Sequence, residues 1–124
     1  MVKLEELEVY KLAMEIGDDV WDVVDEWKPF AKQTVGGQLV EAADSIAANI
    51  SEGYGRYHYK ENRQFCYYSR GSLMETKTFL TKAKRPKPIS EAEFDKMIEK
   101  LKTLHLKLNA YIKSIGKTRE PAHH

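Results

Sequence analysis

Every long stretch of apolar periodicity in this chain repeats at the helical interval, and four segments carry it. In the first, Val9, Ala13, Ile16, Val20, Val23 and Trp27 alternate spacings of four and three, the seam of a bundle helix. A second seam runs beside it through Leu7, Tyr10, Met14, Gly17, Trp21 and Val24. What remains for water is a stripe of Glu8, Lys11, Glu15, Asp18, Asp22 and Asp25. A helix from about Leu4 to Trp27 is therefore apolar over about two thirds of its circumference, where a small monomeric bundle needs one apolar face. The surplus implies a second burial partner, either a neighbouring helix of the same chain or another subunit. We expect a subunit interface at Tyr10, Met14 and Trp21, and hence a homo-oligomer.

The other three segments follow the same period. Lys28-Pro29-Phe30 interrupts the first, because proline disfavours helix at the residue before it. Thr34 is the expected N-cap of a second helix running to about Glu52 on Val35, Leu39, Ala43, Ile46 and Ile50. Gly36-Gly37 near its start argues for a beginning up to one turn later. Gly53 and Gly55 are expected to end it, with Gly53 at positive φ. A third helix, about Lys60 to Ala83, has a small-residue seam of Phe65, Ser69, Ser72, Thr76, Phe79 and Ala83, extended by Cys66, Leu73 and Leu80. Two prolines make Lys84-Arg85-Pro86-Lys87-Pro88 a rigid basic connector. Ser90 to Glu93 reads as a capping box opening a fourth helix, which Gly116 closes. One domain of 124 residues with short connections predicts an all-α, antiparallel up-down-up-down four-helix bundle over residues 1–117, and a frayed tail over 118–124.

The search for chemistry returns little. No apolar run approaches the about 20 residues of a membrane span, and the N-terminus lacks a signal-peptide core, so no membrane partner is expected and the cytoplasm is the expected compartment. A single cysteine, Cys66, excludes an internal disulfide and a multi-cysteine metal site. A bundle di-iron site needs paired Glu-x-x-His motifs, and the one present here, Glu120-Pro121-Ala122-His123, lies in the tail. Gly53-Tyr54-Gly55-Arg56 follows a helix, not a strand, and so is no phosphate loop. No catalytic residue, cofactor or metal is expected, and the chain reads as a non-enzyme.

Charge is more informative. The chain carries net +1, yet residues 1–55 hold 4 Lys/Arg against 12 Asp/Glu, while residues 56–124 hold 16 against 7. Acidic helices packed beside basic ones would cancel much of this; a basic face for a polyanion is the other reading. Arg56, Arg63, Arg70, Lys77 and Lys84 recur every seven residues, a row that drifts only about 20° per heptad, with Lys60 beside it. Such a row suits a nucleic-acid backbone, and it equally suits carboxylates of an adjacent subunit.

The segment from Gln38 to Arg56, above all Ala48-Asn49-Ile50-Ser51-Glu52-Gly53-Tyr54-Gly55-Arg56, resembles the signature of the 23S rRNA intervening-sequence protein family. Leu7 to Ala13 is similar to its opening helix, and Phe65 with Arg70-Gly71-Ser72-Leu73-Met74-Glu75-Thr76 to its third. The resemblance implies an antiparallel four-helix bundle in a ring-shaped homopentamer. A structurally similar pentamer is an accessory protein of diversity-generating retroelements that binds nucleic acid and a reverse transcriptase. By that resemblance RNA, DNA or a protein partner is expected, beside a structural or adaptor role. Val40-Glu41 stands where members commonly carry a basic pair, and Ala47 where they commonly carry proline. Asn49, Glu52, Gly53 and Gly55 are expected to shape the helix end, with Arg56 as the partner that Glu52 needs at a helix C-terminus.

Overall fold

A computed structural model describes residues 2–84 and 88–117. The connector residues Arg85 to Lys87 and the tail from Thr118 lie outside the described residues. After a 3-10 turn at Leu4–Glu6, helix α1 spans Glu8–Asp25. Helix α2 is continuous through three stretches: Pro29–Ala31, a π-helical Lys32–Gly36, and Gly37–Tyr54. Helix α3 is Tyr59–Lys84 and α4 is Glu91–Ser114. No strand occurs among the described residues.

Cross-helix contacts fix the directions. Gly17 and Trp21 of α1 meet Asp44, whereas Val24 and Trp27 meet Gly36, so α1 and α2 run oppositely. Gly53 meets Asn62 while Ser69 donates to the Ile46 carbonyl, so α2 and α3 do as well. Arg63 reaches Ile115 and Arg70 reaches Asn109, which sets α4 against α3. The bundle is therefore antiparallel, up-down-up-down, with α4 closing back onto α1. Its core is the seams read from sequence: Val9, Ala13, Ile16 and Val20 of α1, Leu39, Ala43, Ile46 and Ile50 of α2, Cys66, Leu73 and Leu80 of α3, and Leu101, Leu104 and Leu108 of α4. The α1 polar stripe is exposed throughout.

The second helix departs from expectation at both ends. Pro29 takes the first helical position, where its missing N–H costs nothing, so the helix starts earlier than Thr34, not later. Thr34 does not cap; its Oγ1 donates back to the Phe30 carbonyl at 2.6 Å, four residues upstream. Gly36 is needed for closeness: a Cβ there would lie 2.8 Å from Val24 Cγ1 and 3.3 Å from Trp27 Cε3. Gly53 is not left-handed, and Gly116 is the glycine with positive φ, at 81°. Gly55 caps α2 at φ −76°, a right-handed conformation open to any residue. Gly53 is small because α3 crosses it. A Cβ would lie 2.8 Å from Asn62 Oδ1, 2.9 Å from the Asn62 carbonyl and 3.0 Å from Phe65 Cβ. The Ser90–Glu93 capping box forms in both directions, at 3.1 and 3.0 Å.

Two predictions follow from this packing. Gly53→Ala overpacks the α2–α3 crossing and should lower stability by about 1–3 kcal/mol in urea unfolding. Gly17→Ala, whose Cβ meets only the movable end of Asp44 at 2.7 Å, should cost clearly less. Burial pushes the Cys66 thiol up to about 12, so it stays protonated in the native state at pH 9–10 while an unfolded thiol, near pKa 8.5, ionises. The Cys66 contribution is complete below about pH 8 and is lost as pH rises from about 8.5 toward 12. Equilibrium unfolding at several pH values should show this alkaline slope, and Cys66→Ala should flatten it.

Candidate assembly surfaces

Helices α1 and α2 leave a groove on the outside of the bundle. Its floor is Ala13, Ala47 and Ala48, its walls are Tyr10, Met14 and Trp21, and Asp18 and Asp44 stand at its rim, enclosing about 390 Å³. Trp21 is 56% exposed and Met14 44%, while Tyr10 is half-buried against the core. The second seam of α1 thus divides: Gly17 and Val24 face inward, Leu7 and Tyr10 pack half-buried against the core, and Met14 and Trp21 remain outside. Trp21 is not loose. Its Nε1–H donates to Asp44 Oδ2 at 2.7 Å, and Gly17 makes room for that carboxylate to lie against α1. The indole is held, more than half exposed, beside a shallow apolar floor.

The basic row splits into different environments. Arg56 lies in the loop before α3, not on the helix. It pairs with Glu52 at 3.0 Å and Glu61 at 3.6 Å and lies over the Phe65 ring, so the expected partner of Glu52 is present. Arg63 is half-buried, and its Nη1 donates to the Ile115 carbonyl at 3.1 Å, capping the α4 C-terminus where the dipole favours a cation. Arg70, also half-buried, donates to Asn109 Oδ1 at 2.9 Å and stacks over Tyr67. Lys77 is half-buried; Lys60 and Lys84 are exposed, the last lying over Phe94. The row therefore does not face solvent as a whole. Its two central arginines fasten α3 to α4, and both do so through neutral oxygens. The signature residue Asn49 is likewise structural, its Nδ2 donating to the Ser45 carbonyl at 2.9 Å.

The outward face of α3 lies about a quarter turn from that row and was not singled out by the charge pattern. At helical spacing it presents Lys60, Gln64, Tyr68, Gly71, Glu75 and Lys82, with Tyr67 and Met74 beside Gly71, and all are exposed. Tyr68 is 50% exposed and Met74 47%. Gly71 sits midway along the 26-residue helix, and a Cβ there would meet nothing within 4 Å. Nothing inside the protomer asks for glycine, which costs a helix interior about 0.5–1 kcal/mol relative to alanine. The signal available in the sequence was this glycine, in a helix whose serines and alanine all lie on the buried seam.

Charge follows the same division. Lys100 bridges α4 to Glu15 and Asp19 of α1, and these contacts hold the Lys100 pKa above its ordinary value, with Asp19 the larger influence. Among the described residues no other ion pair joins the acidic half of the chain, residues 1–55, to helices α3 and α4 except that of Glu52 through Arg56 at the corner. A wider cleft of about 1240 Å³ lies between the start of α2 and the end of α3, lined by Phe30, Gln33, Thr34, Gln38, Thr81 and Lys82, with no cluster of like charge. No helix among the described residues is long and apolar enough to cross a membrane.

The family model of the 23S rRNA-intervening sequence protein matches residues 5–110, and the chain belongs to that family. A crystal structure of a protein of unknown function from the S23 ribosomal protein family of Bacteroides thetaiotaomicron is similar in fold, with a TM-score of 0.76. The two are 16% identical, and the match covers 85% of this chain and 98% of that one, so the likeness is one of fold. No curated protein matches the sequence.

The arginine contacts predict a stability effect where a free phosphate-binding row would predict none. Arg63→Ala and Arg70→Ala should each lower stability by roughly 1 kcal/mol, the ordinary range for a charged hydrogen bond discounted for partial exposure. Urea unfolding of the single variants checks this, with Lys60→Ala, which is exposed and unpaired among the described residues, expected within about 0.5 kcal/mol of the parent.

Proposed function

We propose that this member of the 23S rRNA-intervening sequence protein family is a non-catalytic building block, a helical-bundle subunit that assembles into a closed homo-oligomer and serves as a structural or adaptor protein in the cytoplasm. Five subunits is the number the family resemblance implies. One observation carries the reading: Trp21 and Met14 stand exposed around an alanine-floored groove on a helix whose core-facing seam is already satisfied. Leaving so much aromatic and thioether surface in water is unfavourable, and its burial between copies recovers roughly 25 cal/mol per Å².

A second reading, a nucleic-acid-binding accessory protein, is supported by the neutral partners of Arg63 and Arg70, neither of which joins an ion pair among the described residues. The intrachain ties weigh against it, since phosphate would have to share guanidinium groups already committed to α4. The adaptor reading is preferred for that reason.

Multi-angle light scattering over a hundredfold concentration range tests the conclusion. A mass several times that of one chain is expected, and Ala48→Arg, which fills the groove floor, should reduce it to one chain. A parent protein that stays monomeric throughout overturns the reading. Anisotropy titration of single-stranded RNA tests the alternative: if it binds, the log–log salt slope should approach about −0.7 for each phosphate neutralised, and joint reversal of Arg63, Arg70 and Lys77 to glutamate should abolish it.

A further inference from the structure

The groove between α1 and α2 and the outward face of α3 are separate surfaces of one protomer, and each is unfinished in a complementary way. The groove is concave, apolar at its floor and acidic at its rim, with Asp18 and Asp44 beside it. The α3 face is convex and centred on Gly71, with Tyr67, Tyr68 and Met74 as apolar shoulders, Glu75 one turn along, and Lys60 and Lys82 at its two ends. Those lysines are 22 residues apart, about 33 Å along the helix, so the positive ends bracket the apolar centre. A glycine at the crest removes the side chain that would hold two backbones apart, and no contact within the protomer uses that space.

We propose that the Gly71 face of α3 in one copy seats in the Trp21 groove of the next copy, making the contact between subunits heterologous. The inference rests on the assembly reading above and supplies its partner. Charge complementarity selects a second copy over another occupant: Asp18 and Asp44 stand at the groove, and the α3 face carries Lys60 and Lys82 against the single carboxylate of Glu75. Because the two surfaces do not overlap, every copy can use both at once. A head-to-tail contact of this kind closes into a ring when the rotation between copies allows it, whereas groove against groove would stop at a dimer.

The test uses two variants that each block one surface. Gly71→Arg blocks the α3 face and leaves the groove intact; Ala48→Arg blocks the groove and leaves the α3 face intact. Neither position requires its small residue for folding of the protomer: Ala48 is exposed, and Gly71 has no neighbour for a side chain to strike. Sedimentation velocity should find each variant alone as a single chain, with assembly weakened at least about thirtyfold. Mixed in equal amounts, they should form a species of two chains and no larger, because the mixture contains one complete interface. Far-UV circular dichroism confirms that each variant is folded, and Met74→Lys on the same face should repeat the effect of Gly71→Arg. If the parent is monomeric, the assembly reading itself fails. If the parent assembles and both Gly71→Arg and Met74→Lys assemble equally well, the proposed partner surface is wrong while the assembly reading stands. A parent limited to two chains that responds to Ala48→Arg alone would mean groove meets groove, and would overturn the proposal.

Discussion

The close crossing of α2 and α3 determines how the rest of the surface is arranged. Gly53 of α2 lies against Asn62 and Phe65 of α3 with no room for a Cβ, and further along the crossing Ser69 Oγ donates 2.8 Å to the Ile46 carbonyl. Small side chains allow close approach but leave little freedom of rotation, since a turn of α3 about its axis would bring Tyr68 into the seam. With α3 held in this orientation, Arg63 and Arg70 fall against α4, and Gly71 points away from the protein. Two hydroxyls of the seam satisfy backbone carbonyls, Ser69 that of Ile46 and Thr76 that of Ser72, each at 2.8 Å.

Much of this was legible from sequence because bundle helices express burial as periodicity. The core stripes, the capping box, the glycine stop at Gly116 and the Glu52–Arg56 pair all have local causes acting over one to four residues. What was not legible is what tertiary contact decides. Gly53 signalled a left-handed cap by its position near a helix end, yet its smallness answers to Asn62 and Phe65 on another helix. Thr34 has the side chain of an N-cap, but Pro29 had already begun the helix, and its hydroxyl turned to a carbonyl four residues back. The heptad row of Arg and Lys looked like one surface because periodicity reports which side of a helix a residue occupies. It does not report how far a neighbouring helix wraps around that side. At the flank of α3, a long guanidinium reaches α4 while a lysine amine at the end of the row remains outside.

The charge asymmetry acquires meaning in the same way. Two halves of opposite sign within one chain would normally be spent on internal ion pairs between helices. Here the described contacts spend few, and the largest of them, Lys100 with Glu15 and Asp19, joins α4 to the side of α1 away from the groove. Like faces of such oppositely charged halves repel when they meet, and the head-to-tail contact proposed above avoids that repulsion.

The Trp21–Asp44 hydrogen bond shows how such a contact can become dry. Burying an exposed tryptophan normally requires a partner for its N–H, and burying an aspartate costs more than it returns unless its charge is compensated. In this protein the two groups already satisfy one another within the protomer at 2.7 Å, over a glycine that gives the carboxylate room. A second helix covering the groove would remove water from the indole faces without breaking that bond. The free oxygen of Asp44 would then need one donor from outside, and an approaching basic helix carries donors. Gly17, which on an amphipathic helix reads as a weak point, is thereby the residue that lets an exposed tryptophan remain ordered and polar-satisfied before any partner arrives.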